Sequence, residues 1–229
     1  DPVHLYTNLL SDTDINLSAK MKVKHAKKSM GLFVLFFGTD TSYPDIEHHT
    51  IWLGPRYKSL LHDIFDRKVL ADDFSLYLHR PTATDPSFAP EGCDSFYALV
   101  PVPNLQAEID WQTEGCALRD RVIKALQETL LPNLTDHLVH DFWMTPEDFE
   151  QDYLSPAGAG FSIAPSFTQS AWFRFHNKAE GPENLYLVGA GTHPGAGLPG
   201  VISSAKVLEN LIRPAAGGPK ESCYMQAAE

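Results

Sequence analysis

The chain has 229 residues, 43% of them hydrophobic, enough to bury a sizeable core in one large domain or two small ones. Its formal net charge is −11 and its pI near 5.3, which argues against nucleic acid as a partner. There is no run of 18 apolar residues and no charged-then-apolar leader pattern, so nothing supports a secreted or membrane-spanning chain.

Asp1-Pro2 reads as an N-cap followed by proline at the first helical position, opening a short helix over residues 2–11. A chain that opens on a helix start is expected to be cut from a longer one. Five of the eleven lysines then fall between Lys20 and Lys28, with His25 among them. Such a run is commonly a solvated face. Leu32–Phe37 is a continuous apolar run closed by Gly38, as in a strand at a sheet centre. A second strand is expected over 47–53, stopped by Gly54-Pro55, and a helix over 57–65. Phe74, Leu76 and Leu78 alternate with polar neighbours as a half-buried strand does. Residues 80–94 are rich in Pro, Thr, Asp and Gly and form a loop.

Strand character returns over 95–100, and the clearest helix follows over 115–131, where Leu118, Val122 and Ala125 share a face before Pro132. Residues 137–143 resume strand character. Near the end, Leu185–Val188 reads as a short buried strand running into a glycine-rich turn, and Val201, Ala205, Leu208 and Ile212 space as one helical face beyond it. Residues 214–229, with Gly217-Gly218-Pro219, are expected to be disordered. Strands interleaved with a few helices, without regular βαβ alternation, point to an α+β substrate-type domain.

The glycine turn carries the functional signal. Closely spaced glycines let backbone approach a ligand, and the amides of the helix start behind them are unpaired and partly positive. It is not a Walker loop, since no lysine follows before Lys206. The dinucleotide pattern G-x-G-x-x-G fits at Gly189 and Gly191 but meets Pro194 where the third glycine belongs. Turn geometry alone accounts equally well for Gly195 and Gly197. The ten histidines include no H-E-x-x-H; His48 and His49 are neighbours expected to diverge, as are His137 and His140, so no metal site is expected. Cys93, Cys116 and Cys223 form no C-x-x-C and suit a reducing compartment.

Gly189-Ala-Gly-Thr-His-Pro-Gly-Ala-Gly-Leu-Pro-Gly-Val201 resembles the C-terminal flavin-contacting signature of bacterial-type phytoene desaturases and their carotenoid desaturase and isomerase relatives. Three further stretches are similar to the same family. They are Asp1–Leu10; the block Met144-Thr-Pro-Glu-Asp-Phe-Glu150 with Gly160-Phe-Ser162; and Gln169-Ser-Ala-Trp-Phe-Arg174 with His176-Asn177. The family's proline after the arginine is Phe175 here. The matches span residues 1 to about 213.

The resemblance implies an FAD-dependent oxidoreductase that desaturates a carotenoid precursor such as phytoene. A hydride would pass to the flavin and a proton would be lost. It implies a mixed-sheet substrate domain plus the closing strand-turn-helix of a Rossmann-like FAD domain whose N-terminal half is absent, so that the chain should not hold FAD tightly by itself. The expected division is 1–20 (end of an FAD-domain segment), 21–165 (substrate and membrane-associated domain), 166–213 (closing FAD segment) and 214–229 (tail). Cofactor contacts fall to Gly189, Ala190, Gly191, Thr192, Leu198, Pro199, Gly200 and Val201, with Thr192 offering a hydroxyl.

No catalytic acid or base is assigned; Arg174, His176 and His193 are the polar candidates. A hydrophobic polyene substrate, a quinone or oxygen as electron acceptor, and a cytoplasmic location peripherally bound to a membrane are implied as well. The lysines of 20–28 would then meet anionic headgroups. Phe33, Phe36, Phe37, Trp143, Phe161, Trp172 and Phe173 are candidates for the tunnel lining, though core packing is the commoner role for such residues. Alternatives are a carotenoid isomerase or ketolase of the same family and, in another class, a non-catalytic lipid- or partner-binding fragment.

Overall fold

The structure, a computed structural model, describes residues 1–212. The tail over 214–229 and Cys223 lie outside the described residues. In chain order the elements are α1 (Pro2–His4, continued as a wider turn over Leu5–Leu9), α2 (Leu17–His25), β1 (Gly31–Thr39), β2 (His49–Trp52), α3 (Tyr57–His62), β3 (Leu76–His79) and β4 (Asp94–Val102). There follow α4 (Trp111–Thr129), α5 (Leu134–His137), β5 (Leu138–Met144), α6 (Pro146–Tyr153) and α7 (Leu198–Leu211). The five strands form one sheet in the order β2-β3-β4-β1-β5, with every pairing antiparallel. The α+β expectation therefore holds, with the sheet antiparallel throughout.

Period-two alternation sorts the sheet into two unlike faces. Phe33, Leu35 and Phe37 of β1, Phe96, Ala98 and Val100 of β4, and Leu76 and Leu78 of β3 point to one side and are buried. The apolar stripe of α4, from Trp111 through Leu118 and Val122 to Leu126, packs against them. α4 begins four residues before the expected start, at an N-cap that the spacing did not mark: the Asp110 carboxylate accepts from the amide of Gln112. Arg119 on its flank binds Asp141 of β5, tying helix to sheet edge. Phe33, Phe37 and Trp143 thus belong to this core and do not line a tunnel.

A smaller cluster joins the first helix to the C-terminal segment: Val3, Tyr6, Ala19, Ile163 and Phe175. Tyr6 and Phe175 stack with ring centroids 5.7 Å apart. The expected strand over 185–188 does not form as one. Its ladder is a single bridge between Lys178 and Tyr186, flanked by two backbone hydrogen bonds, because no further strand lies beside it among the described residues. A strand exists only through its partners. The expected loop over 80–94 carries two single 3₁₀ turns, Pro81–Ala83 and Pro86–Phe88.

Candidate functional site: a braced glycine turn and an aromatic sheet face

Asp1 begins the architecture of the turn. Its carboxylate accepts from the amides of Val3 (2.7 Å) and His4 (3.1 Å), as an N-cap should, and also from the Ser162 hydroxyl. Pro2, held there, presses on the glycine turn: a Cβ at Gly191 would lie 2.3 Å from its Cδ. Glycine at 191 is thus required by close packing inside the protein. Gly200 is similar, since a Cβ would meet the Gly195 carbonyl oxygen at 2.6 Å. Gly189 and Gly197 differ. Their φ values are +116° and +92°, and nothing lies within 4 Å of where a Cβ would be. Their backbone faces open space.

Arg174 holds the turn from behind. It is 1% exposed and has no carboxylate partner, so it is not the ion-paired residue its charge suggests. Its guanidinium donates instead to four backbone carbonyls: Ala190 (2.8 Å), Gln169 (3.1 Å), Ile163 (3.1 Å) and Phe161 (3.3 Å). Burial lowers its pKa from the usual arginine value. The planar fork of five donors suits this work as no lysine would. Ser204 of α7 accepts from the Gly189 amide at 2.9 Å, and Asn177 donates to the Leu187 carbonyl at 3.1 Å. No sequence pattern marked Ser204; its role comes only from the way α7 folds back.

Thr192 is 1% exposed, and its hydroxyl donates to the Gly189 carbonyl at 2.9 Å. It closes the turn and has no hydrogen left for a ligand. At the start of α7, Val201 already donates to the Gly197 carbonyl at 2.9 Å, and Pro199 has no amide. The donors left at this helix start are Leu198 and Gly200, beside the 76% exposed side chain of Leu198. A cleft of ≈ 320 Å³ borders the turn, lined by Pro2, Phe149, Tyr153, Phe161, Gly189 and Ala190 among others. An open, positive-φ backbone edge next to free helix amides fits one side of a flat, electron-rich ring such as a flavin.

The remaining polar candidates are near the turn but not aimed together. His176 stacks on Trp172 (4.8 Å) and its Nε2 hydrogen-bonds the Trp172 carbonyl at 3.2 Å. The Nδ1 of His193 is buried without a partner. Trp172 and Phe173 are exposed at 69% and 57%.

The second face of the sheet holds what composition hides. Register places Phe142, Phe36, Tyr97, His79 and His49 opposite one another, one from each strand in order from β5 to β2. Ring centroids are 4.8 Å apart for Phe36–Phe142, 5.8 Å for Phe36–Tyr97, 4.7 Å for His79–Tyr97 and 5.5 Å for His49–His79. Of the aromatics expected to line a tunnel, only Phe36 lies in this row. His79 has its pKa lowered by burial and by the neighbouring His48 and His49.

The lysines of 20–28 do not act as one group. Lys20 lies 3.7 Å from Asp12, and Lys22 is paired with Glu180. Lys24, Lys27 and Lys28 line a hollow of ≈ 490 Å³ with His25 and Lys68. The Lys28 ammonium is buried with no hydrogen-bond partner, and burial brings its pKa down to about 8.

The fold has a solved counterpart: a crystal structure of an oxidoreductase from Methanosarcina mazei matches 90% of this chain with a TM-score of 0.52 at 16% identity, using 41% of that chain. Sequence is far closer to a particular group. The chain is 48% identical over 213 residues to the lycopene-forming phytoene desaturase of Pantoea ananas and 49% identical over 227 residues to the neurosporene-forming phytoene desaturase of Cereibacter sphaeroides. It is 36% identical over 213 residues to the zeta-carotene-forming phytoene desaturase of Myxococcus xanthus. These matches cover 93%, 97% and 93% of this chain but only 43%, 44% and 40% of the relatives. The chain spans less than half the length of the curated relatives it matches. It is a homologue of the bacterial phytoene desaturases. No family model matches it.

Proposed function

We propose that this chain is the C-terminal portion of an FAD-dependent phytoene desaturase, acting in carotenoid biosynthesis on a hydrophobic polyene. The observation that carries the reading is the aromatic row across the outer sheet face. Five strands at roughly 4.8 Å spacing make a platform of about 19 Å. An extended polyene can lie on such a row by contact with ring faces, with no polar group asked to pair with it. Phe142, which is 52% exposed, and Phe36 form its apolar end.

FAD, when bound, supplies the hydride acceptor for oxidation of a carbon–carbon single bond. The chain's own part is to present backbone to it. Gly189 and Gly197 offer open positive-φ backbone, and the amides of Leu198 and Gly200 face growing negative charge at a helix N-terminus. Arg174 and Thr192 brace that surface from within through their bonds to the Ala190 and Gly189 carbonyls. These contacts grip only one edge of the cofactor, so the chain by itself binds FAD weakly.

Among the described residues no helix is long and apolar enough to cross a membrane. Peripheral attachment through the exposed Lys24 and Lys27 to anionic headgroups would favour delivery of a lipid-soluble substrate on the cytoplasmic side. Electrons then leave to a quinone or oxygen.

The test is incubation of the complete gene product containing this chain with phytoene, FAD and an added acceptor. Products with more conjugated double bonds, read from the absorption spectrum, are expected. A product with rearranged geometry but no added double bond would replace desaturation by isomerisation.

A further inference from the structure

Consecutive residues in a strand point to opposite faces, so His48 and His49 are expected to part. They do not: their rings are 4.3 Å apart. His48 sits just before β2, its carbonyl accepting from the Arg80 amide at 3.0 Å, and its side chain returns to the face that His49 occupies. His79 is the register partner of His49, and its ring lies 4.6 Å from that of His48 and 5.5 Å from that of His49. One ring nitrogen from each of the three comes within 4.8 Å of the others, the one such convergence of three ligand groups among the described residues.

The surroundings of the three rings are ordered in a particular way. Tyr77 Oη meets Nδ1 of His49 at 2.6 Å and Nδ1 of His79 at 3.0 Å, while Thr84 Oγ1 meets Nδ1 of His48. With Nδ1 protonated in each ring, the two lone pairs of the tyrosine oxygen serve His49 and His79, and the threonine serves His48. Nε2 is left on every ring. Metal-bound histidines have this arrangement, one nitrogen ligating and the other donating to an outer partner that fixes the ring.

We propose that His48, His49 and His79 form a binding site for a divalent transition-metal ion of the zinc, cobalt, nickel or copper type. Three imidazoles without a carboxylate select such ions over magnesium or calcium, which take oxygen ligands. Bonds of 2.0–2.1 Å at tetrahedral angles put ligand nitrogens about 3.3 Å apart, so the cluster closes when the widest separation shortens by about 1.5 Å. His49 is exposed and His48 and His79 are half-buried, which leaves their side chains room for that shift. The fourth position stays open to water. The site stands on geometry alone and does not depend on the reaction assigned above.

The experiment is titration of tag-free 229-residue chain with cobalt(II), read by visible absorption, with zinc(II) as competitor. Expected are one ion per chain, an absorption band of a low-coordinate site, loss of that band on adding zinc, and a zinc-dependent rise in thermal midpoint. His79→Ala and His48→Ala should each weaken cobalt binding at least tenfold, and Tyr77→Phe by about tenfold through loss of the outer partner. His140→Ala, on the same sheet face, should change nothing. Where alanine at 79 lowers the metal-free thermal midpoint, His79→Gln keeps the volume and gives the same reading. Absence of saturable binding at equimolar metal overturns the site, as does binding that survives both histidine substitutions.

Discussion

At the scale of single residues, two buried arginines do opposite kinds of work. Arg80 pairs with Asp94: Nε donates at 2.9 Å, and both side chains are nearly inaccessible. Burial would raise the Asp94 pKa. The hydrogen bonds from Arg80, Thr82 and the Tyr43 amide outweigh burial and hold it below the ordinary 3.8. A carboxylate depressed in the fold stabilises it at pH values above 3.8 and ceases to as pH falls through the folded value. Asp94→Asn should therefore cost about 3 kcal/mol at pH 7, by urea unfolding, with the gap to the parent shrinking below pH 4. A gap that stays constant with pH would remove the ionic account. Arg174 has only carbonyl partners, and Arg174→Met leaves four of them wanting. A loss of about 2–4 kcal/mol is expected, with little of it restored by lysine, which lacks the fork. None of this was legible in the chain. A lone arginine in a Trp-Phe-Arg run looks the same whether it will meet a carboxylate, a ligand or a bare carbonyl.

At the scale of elements, hydrophobic period was a reliable guide wherever the partner lay nearby. β1 at the sheet centre, the alternation of β3, and α4 with Leu118 and Val122 on one face all stand where spacing put them, within a few residues. The prediction failed at 185–188, where the apolar run makes a single bridge and has no neighbouring strand among the described residues. Within the glycine turn, the glycines divide by cause. Gly191→Ala drives a methyl into Pro2 and should cost about 1–3 kcal/mol by separating the turn from α1. Gly189→Ala meets no atom, yet φ of +116° is unfavourable for any side chain, so a similar loss of about 1–3 kcal/mol arises from backbone strain. The two are told apart by a partner change. Pro2→Ala should relieve the first variant's thermal midpoint and leave the second's as it was.

At the scale of the whole molecule, one sheet separates two environments: a packed core under α4 and a row of aromatic rings on the opposite face. The membrane reading belongs to this scale as well. Neutralising the exposed Lys24 and Lys27 should abolish most flotation with vesicles containing phosphatidylserine, while neutralising the ion-paired Lys20 and Lys22 should leave most of it. Equal losses from both sets would mean that net charge alone mattered. From the chain alone came the class of fold, the position of most elements, the glycine turn and its kinship to carotenoid desaturases, because these rest on local period and on contiguous motifs. Tertiary structure alone decided that Phe33 and Phe37 are core while Phe36 is surface, that Thr192 is spent on its own turn, and that His79 meets a histidine pair some 30 residues before it. Strand register and side-chain direction make the choices within the sheet, where a single residue of shift would exchange its two faces, and the fold of the turn makes the choice at Thr192.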